Sequence, residues 1–187
     1  MSEFINKNTA LVIVDVQQAI DQPFWSEHGP RNNPYAEQKM AAVLKLWREA
    51  DRPVFHVRHD SVNAGSTYAP GTVTHAFKAE VAPLATETVI GKAVNSAFIG
   101  TDLEEKLRAN GIDSLVIMGV ITNNSVEATV RHAGNLGLDT FLLEDACFTF
   151  AFPDYAGKLR SAQDVHDMSL ANMDGEYCQV IKSSDLL

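Results

Sequence analysis

Three residues far apart in the chain have the types and positions that hydrolytic chemistry uses: Asp15, Lys92 and Ser125. Each follows a short apolar run. Leu11-Val12-Ile13-Val14 leads into Asp15, Val89-Ile90-Gly91 into Lys92, and Leu115 to Met118 into Gly119-Val120-Ile121-Thr122-Asn123-Asn124-Ser125. A carboxylate can move a proton, an ammonium can hold that carboxylate in place, and a hydroxyl can attack a carbonyl or orient water. A strand turning tightly into a helix also presents unpaired backbone N–H groups, which suit a developing negative charge. Taken singly, each residue has an ordinary explanation: a strand-end turn residue, a surface lysine, a helix-capping serine. Their joint order favours a site.

Strand-like runs alternate with helical patterns. That alternation predicts an α/β fold of three layers, a mostly parallel six-stranded sheet with helices on both faces in a Rossmann-like arrangement. Strands are expected over 10–15, 53–58, 88–91, 114–119, 139–144 and 176–182. Asn33 and Pro34 predict an N-cap and first-turn proline for a helix burying Met40, Val43, Leu44 and Trp47. Thr101-Asp102-Leu103-Glu104 reads as a capping box for a helix ending at Gly111. Further helices are expected over 124–136, with Val126, Val130 and Ala133 inward, and near 161–173. In open parallel sheets the ligand crevice lies outside the carboxyl ends of the strands, where Asp15, Lys92 and Ser125 would all fall. Two long connections, 19–33 and 60–87, have the length of functional loops. The first carries Phe24 and Trp25, aromatics that could wall a substrate pocket, and the second, with the strand end before it, carries His59, Tyr68 and His75.

Composition narrows the class. The chain has 187 residues with 45% hydrophobic and 21% charged, which suits one domain over 1–187. A formal net charge of −9 argues against nucleic acid as a partner. The apolar runs are too short to span a bilayer, so no membrane partner is expected. The N-terminus lacks the apolar core of a signal peptide, making the cytoplasm the expected location. Cys147 and Cys178 make no disulfide framework and read as small buried hydrophobes.

The order Asp15, Lys92, Ser125, with Gly119-Val-x-Thr122, Val126-x-x-Thr129, Gly137 and Asp145-Ala146, resembles the isochorismatase-like (cysteine hydrolase) superfamily. Its members include isochorismatases, nicotinamidases and N-carbamoylsarcosine amidohydrolases, and the resemblance runs from Asn8 to the C-terminal strand. It implies the isochorismatase-like hydrolase fold, Asp15 as acid/base beside Lys92, and a non-proline cis peptide at Val120–Ile121 shaping an oxyanion hole. Phe24, Trp25, Val120, Ile121 and Thr122 are then the expected substrate-binding residues. A homo-oligomer, dimer or tetramer, is also implied, with Trp47 and residues 135–138 as candidate contributors.

One departure bears on the chemistry. In the hydrolases of this superfamily the position matching Ser125 is the nucleophilic cysteine. A serine hydroxyl is far more basic than a thiol, and a lysine kept charged by Asp15 cannot serve as its base. Three explanations stay open: non-covalent acid–base chemistry through Asp15, as in isochorismatases; an engineered cysteine-to-serine variant; or a protein that only binds a small molecule. The expected substrate is small and polar, either an isochorismate-like vinyl ether or an amide or ureide C–N bond. Nicotinamidase-type relatives hold zinc with Asp-x-His and a second histidine. Here His56-Val57-Arg58-His59-Asp60 does not reproduce that order even with His75 nearby, so neither metal nor other cofactor is expected.

Overall fold

Six parallel strands form the centre of the computed structural model, which describes residues 5, 6 and 8–186. They are β1 (Thr9–Val14), β2 (Val54–His59), β3 (Thr88–Lys92), β4 (Ser114–Val120), β5 (Asp139–Phe148) and β8 (Gln179–Ile181), ordered β3-β2-β1-β4-β5-β8. A two-stranded antiparallel hairpin, β6 (Phe152–Pro153) and β7 (Leu159–Arg160), lies outside the sheet. Every residue of β1 and of β4 is buried. Successive strand side chains point to opposite faces, so burial of all of them requires cover on both sides. That cover comes from α1 (Ala36–Glu49), α2 (Leu103–Ala109), α3 (Glu127–Asn135) and α4 (Ala162–Ala171). The path through α1 leads outward from β1 to β2, whereas α3 and α4 lead the other way, and right-handed crossovers place such helices on opposite faces. The α/β layers are those expected from the sequence.

The chain reverses direction between β1 and its neighbour β4, so their connections diverge and leave a crevice at their carboxyl ends. The two strands are closely joined there. Val14 pairs with Gly119, whose φ is +140°, and a Cβ on Gly119 would collide with the backbone N, C and O of Val14. Only glycine meets both the conformation and the approach.

Local features depart from expectation where tertiary contacts win. Asn33 is not the cap of α1. It adopts φ +45° and donates its side-chain amide to the carbonyls of Glu144 and Cys147, tying the first long connection to β5, so α1 begins only at Ala36. The capping box expected at α2 does not form. Thr101 Oγ1 instead donates to the Ala97 carbonyl at 2.6 Å, and Glu104 pairs with Arg108. A true capping box occurs at α4, where Ser161 and Asp164 exchange hydrogen bonds. Gly111, just past α2, has φ +65° and lets the chain turn back so that Ile112 N–H reaches the Leu107 carbonyl. β5 runs on to Phe148 because an irregularity lets it re-pair with β4, Gly119 facing Cys147. Trp47 is core: it is 1% exposed and donates to the Thr9 carbonyl, so it contributes to no surface. No helix among the described residues is long and apolar enough to cross a membrane.

The Gly119 contact gives a direct test of this frame. Gly119→Ala is expected to lower unfolding free energy by roughly 2–4 kcal/mol, since strain and a backbone clash add. Urea denaturation measures it, and a midpoint matching the parent protein would show that β1 and β4 can part there without loss.

Candidate active site

Asp15 is the first residue past β1 and has φ +56°, a conformation unusual for a residue with a side chain. Its backbone is fixed on three sides. Its N–H donates to Val57 O at 2.9 Å, and its carbonyl accepts from Gln17 N–H at 2.8 Å and Tyr68 OH at 3.4 Å. Lys92 ends β3, and parallel pairing sets it opposite His59, the last residue of β2. Its side chain is fully buried, with Nζ donating to Asp15 Oδ2 at 2.6 Å, Ser125 Oγ at 3.3 Å and His59 Nδ1 at 3.4 Å. An ammonium has three hydrogens, and three acceptors surround this one. Asp15, Lys92 and Ser125 therefore meet, although 77 residues separate the first two and 33 the last two.

Ser125 sits at the junction of β4 and α3. The peptide Val120–Ile121 is cis, as the resemblance implied. The chain then makes one wide π-type turn over Thr122–Val126, with Val126 N–H reaching back to Ile121 O, before α3 begins at Glu127. Ser125 is thus not a helix cap but part of a widened turn, a geometry common at functional positions. Thr129 Oγ1 braces it, donating to the Ser125 carbonyl at 2.7 Å and accepting from Ala97 N–H at 3.1 Å. Ser169 of α4 holds it from behind through the Thr122 carbonyl and Glu127.

Above these groups lies a cavity of about 130 Å³, lined by Asp15, Ile20, Trp25, His59, Ser66, Tyr68, Asn95, Val120, Ile121, Asn124 and Ser125. Of the expected substrate-binding residues, Trp25, Val120 and Ile121 line it. Phe24 does not. It is 70% exposed and lines an adjoining groove of about 440 Å³, which shares Trp25, Ile121 and Asn124 with the cavity. Thr122 also lies outside, because its fully buried hydroxyl is paired with His166 Nδ1 at 2.8 Å beneath the turn. His59, Tyr68, Asn95 and Asn124 were not among the expected site residues. His59 had a usable signal, since the strand register alone sets it beside Lys92. Tyr68 and Asn95 had none, because irregular loops bring them in.

Several polar groups around the cavity lack partners among the described residues. Asp15 Oδ1 and Trp25 Nε1 are buried and make no hydrogen bond. The Ile121 backbone N–H donates to no acceptor, and His59 Nε2 has no hydrogen-bond partner. Unpaired buried polar groups such as Asp15 Oδ1 and Trp25 Nε1 are disfavoured, and finding both at one cavity, with two half-buried donors beside them, marks a place suited to a ligand. Burial raises the Asp15 carboxyl above its ordinary value, opposed by the charge and hydrogen bond of Lys92 and by the Ser125 hydroxyl beside it. Burial, reinforced by the charge of Lys92, lowers His59 and keeps it neutral at neutral pH. Cys147 and Cys178 are both buried, and burial pushes each thiol up to about 12. His75 is paired with Asp60 at 2.7 Å, and Arg58 holds the same carboxylate. Among the described residues no three metal-binding side chains cluster.

A buried carboxylate–ammonium pair beneath a small cavity lies at the switch point of a parallel sheet, where α/β folds place their ligand sites. The isochorismatase domain profile matches residues 9–185, and the chain belongs to the isochorismatase family. It is 39% identical over 183 residues to the isochorismatase family protein YrdC of Bacillus subtilis, covering 98% of this chain and 96% of that protein. A crystal structure of an isochorismatase-family protein from Chromobacterium violaceum superimposes with a TM-score of 0.94 at 57% identity, covering 98% and 93% of the two chains. The maleamate amidohydrolase of Pseudomonas putida is 27% identical over 195 residues, 97% of this chain and 86% of that protein. Relatives of the family named for an activity, the maleamate amidohydrolase among them, are hydrolases.

The surroundings of Ser125 generate a reactivity test that needs no substrate. In Ser125→Cys the new thiol would sit within reach of the Lys92 ammonium, which stabilises a thiolate. Alkylation at mildly acidic pH is expected to be faster there than at Cys147 or Cys178. Peptide mapping after alkylation reads it out, and a new thiol no faster than a model thiol would show the environment is not electropositive.

Proposed function

We propose that this protein hydrolyses the C–N bond of a small, uncharged amide or ureide by acid–base chemistry. In this reading Asp15 is the proton-transfer group and Lys92 its positioning cation. Ser125 stands at the position where the family's cysteine hydrolases carry their nucleophile. The observation that carries the reading is the pairing of unmet needs at the cavity: a buried acceptor, Asp15 Oδ1, and an unused donor, the Ile121 N–H. An amide undergoing attack by water supplies the complement to both. Its carbonyl oxygen, gaining negative charge, accepts from the backbone N–H, and the attacking water or the amide N–H donates to the carboxylate.

Charge and size favour this over an isochorismate-like acid. Among the described residues lining the cavity Asp15 is the one acid and no lysine or arginine joins it, and the Lys92 ammonium beneath it is already occupied. A dicarboxylate would meet no free cation. At about 130 Å³ the cavity holds roughly four waters' volume, at ~30 Å³ each, so the scissile group enters while the remainder lies in the adjoining groove. The maleamate amidohydrolase supports the class of bond alone: its name gives it an amide as substrate, but one that also carries a carboxylate.

Water rather than Ser125 is the nucleophile in this reading. The base beside the Ser125 hydroxyl is Asp15, a carboxylate far weaker than the histidine or neutral lysine that activates a serine, and the Lys92 N–H donated to Oγ lowers its nucleophilicity further. Ser125 then serves to orient water.

Asp15→Asn is expected to reduce turnover of a small-amide panel by roughly 10² to 10⁴. Circular dichroism verifies the fold, because Lys92 keeps its contacts with His59 and Ser125. Asp15 acts as a base, so activity is lost as pH falls through its raised pKa. The acid limb of kcat/KM therefore lies above the ordinary carboxylate value of 3.8. Undiminished turnover in folded Asp15→Asn would make Asp15 structural, and turnover of isochorismate in place of every amide would replace the substrate class.

A further inference from the structure

His59 is held more tightly than anything its neighbours alone require, yet one of its polar atoms is left free. Its backbone is gripped from both sides by the buried side chain of Gln17, whose Oε1 accepts from His59 N–H at 2.8 Å and whose Nε2 donates to His59 O at 3.3 Å. The same Gln17 amide donates to His75 O at 2.8 Å, so the grip extends to the loop that follows. Tyr68 packs edge-on against the imidazole, ring centroids 5.6 Å apart. Lys92 Nζ lies 3.4 Å from Nδ1. An ammonium has no lone pair, so Nδ1 must be the acceptor in that contact and the ring proton must reside on Nε2. Nε2 has no partner among the described residues, and His59 lines the cavity.

We infer that His59, fixed by Lys92 as its Nε2–H tautomer, is a specificity-determining hydrogen-bond donor that selects substrates carrying a second, uncharged oxygen acceptor beside the scissile amide. The inference rests on the amide reading of the site and extends it from a bond type to a substrate pattern. The backbone N–H of Ile121 meets the reacting carbonyl, Asp15 meets the water or amide N–H, and His59 meets a neighbouring carbonyl. A neutral acceptor suits it better than a carboxylate, because the Asp15 charge lies in the same small cavity and His59 itself is uncharged there. A substrate lacking that acceptor would cover the donor without pairing it, which disfavours that substrate.

The test has two readouts. The first is a long-range ¹H–¹⁵N imidazole spectrum of the free protein, assigned by comparison with His59→Gln. A protonated Nε2 and an unprotonated Nδ1 are expected, and an Nδ1–H tautomer or an imidazolium at neutral pH would overturn the inference. The second is binding of three probes of similar size by NMR titration: acetoacetamide, with a second carbonyl; malonamate, with a carboxylate; and butyramide, with neither. The parent protein is expected to bind acetoacetamide about tenfold or more tighter than butyramide, with malonamate weaker than acetoacetamide. His59→Phe should erase that preference, and His59→Gln, whose amide N–H can reach the same acceptor, should retain part of it. Equal binding of all three probes, or an unchanged preference in His59→Phe, would overturn the anchor alone. Binding of none of them would overturn the amide reading and the anchor with it, whichever tautomer the spectrum shows.

Discussion

The buried ion pair between Asp15 and Lys92 is the constraint around which the carboxyl edge of this sheet is organised. The pair is 2.6 Å long with almost no side-chain exposure, and removing two charges from water is strongly unfavourable unless each is fully matched. The lysine is matched three times, by Asp15, Ser125 and His59, whereas the aspartate keeps one oxygen unpaired. The asymmetry has a thermodynamic sign. Burial raises the Asp15 pKa in the folded protein, so its contribution to stability is fully present below the unfolded value of 3.8 and is lost as pH rises through the folded value. An Asp15 carboxylate ionised in place therefore lessens the stability of the fold, the pattern expected of a charge kept for the proposed chemistry.

Placing that pair requires the topology. β1 and β4 are neighbours whose connections leave in opposite directions, which opens the crevice, and Gly119 lets their ends approach closely enough for residues just beyond them to share it. The register of β2 against β3 supplies Lys92 and His59 side by side. Each strand end thus delivers one group, and long-range contacts hold each in place: Gln17 across the ends of β1 and β2, Thr129 and Ser169 under the wide turn, Tyr68 over Asp15 and His59. Sites built on strand ends and braced in this way hold geometry better than free loops.

The sequence made the sheet and its ligand-bearing edge legible because those features follow from local patterns. Short apolar runs ended at Asp15, Lys92 and the turn leading to Ser125, and the period of Met40, Val43, Leu44 and Trp47 predicted which face of α1 is buried. The features that stayed hidden depend on contacts between distant segments. Asn33 looked like a helix cap until the carbonyls of Glu144 and Cys147 claimed its side chain. Thr122 carried a motif position that suggested the pocket, but His166, 44 residues away, draws its hydroxyl beneath the turn. Phe24 and Trp25 are adjacent, yet one lies in the outer groove and the other walls the cavity, a distinction set by packing against Tyr68 and Phe150.

In the proposed reaction Asp15 is an acid–base group whose proton affinity is set by burial on one side and by Lys92 on the other. Direct titration of the Asp15 carboxyl carbon by ¹³C NMR, in the parent protein and in Lys92→Met, addresses it without any substrate. A midpoint above 3.8 is expected in the parent protein, with a further upward shift when the ammonium is removed, because the largest influence opposing desolvation is then gone. A midpoint at or below the ordinary carboxylate value, or one indifferent to the loss of Lys92, would contradict it.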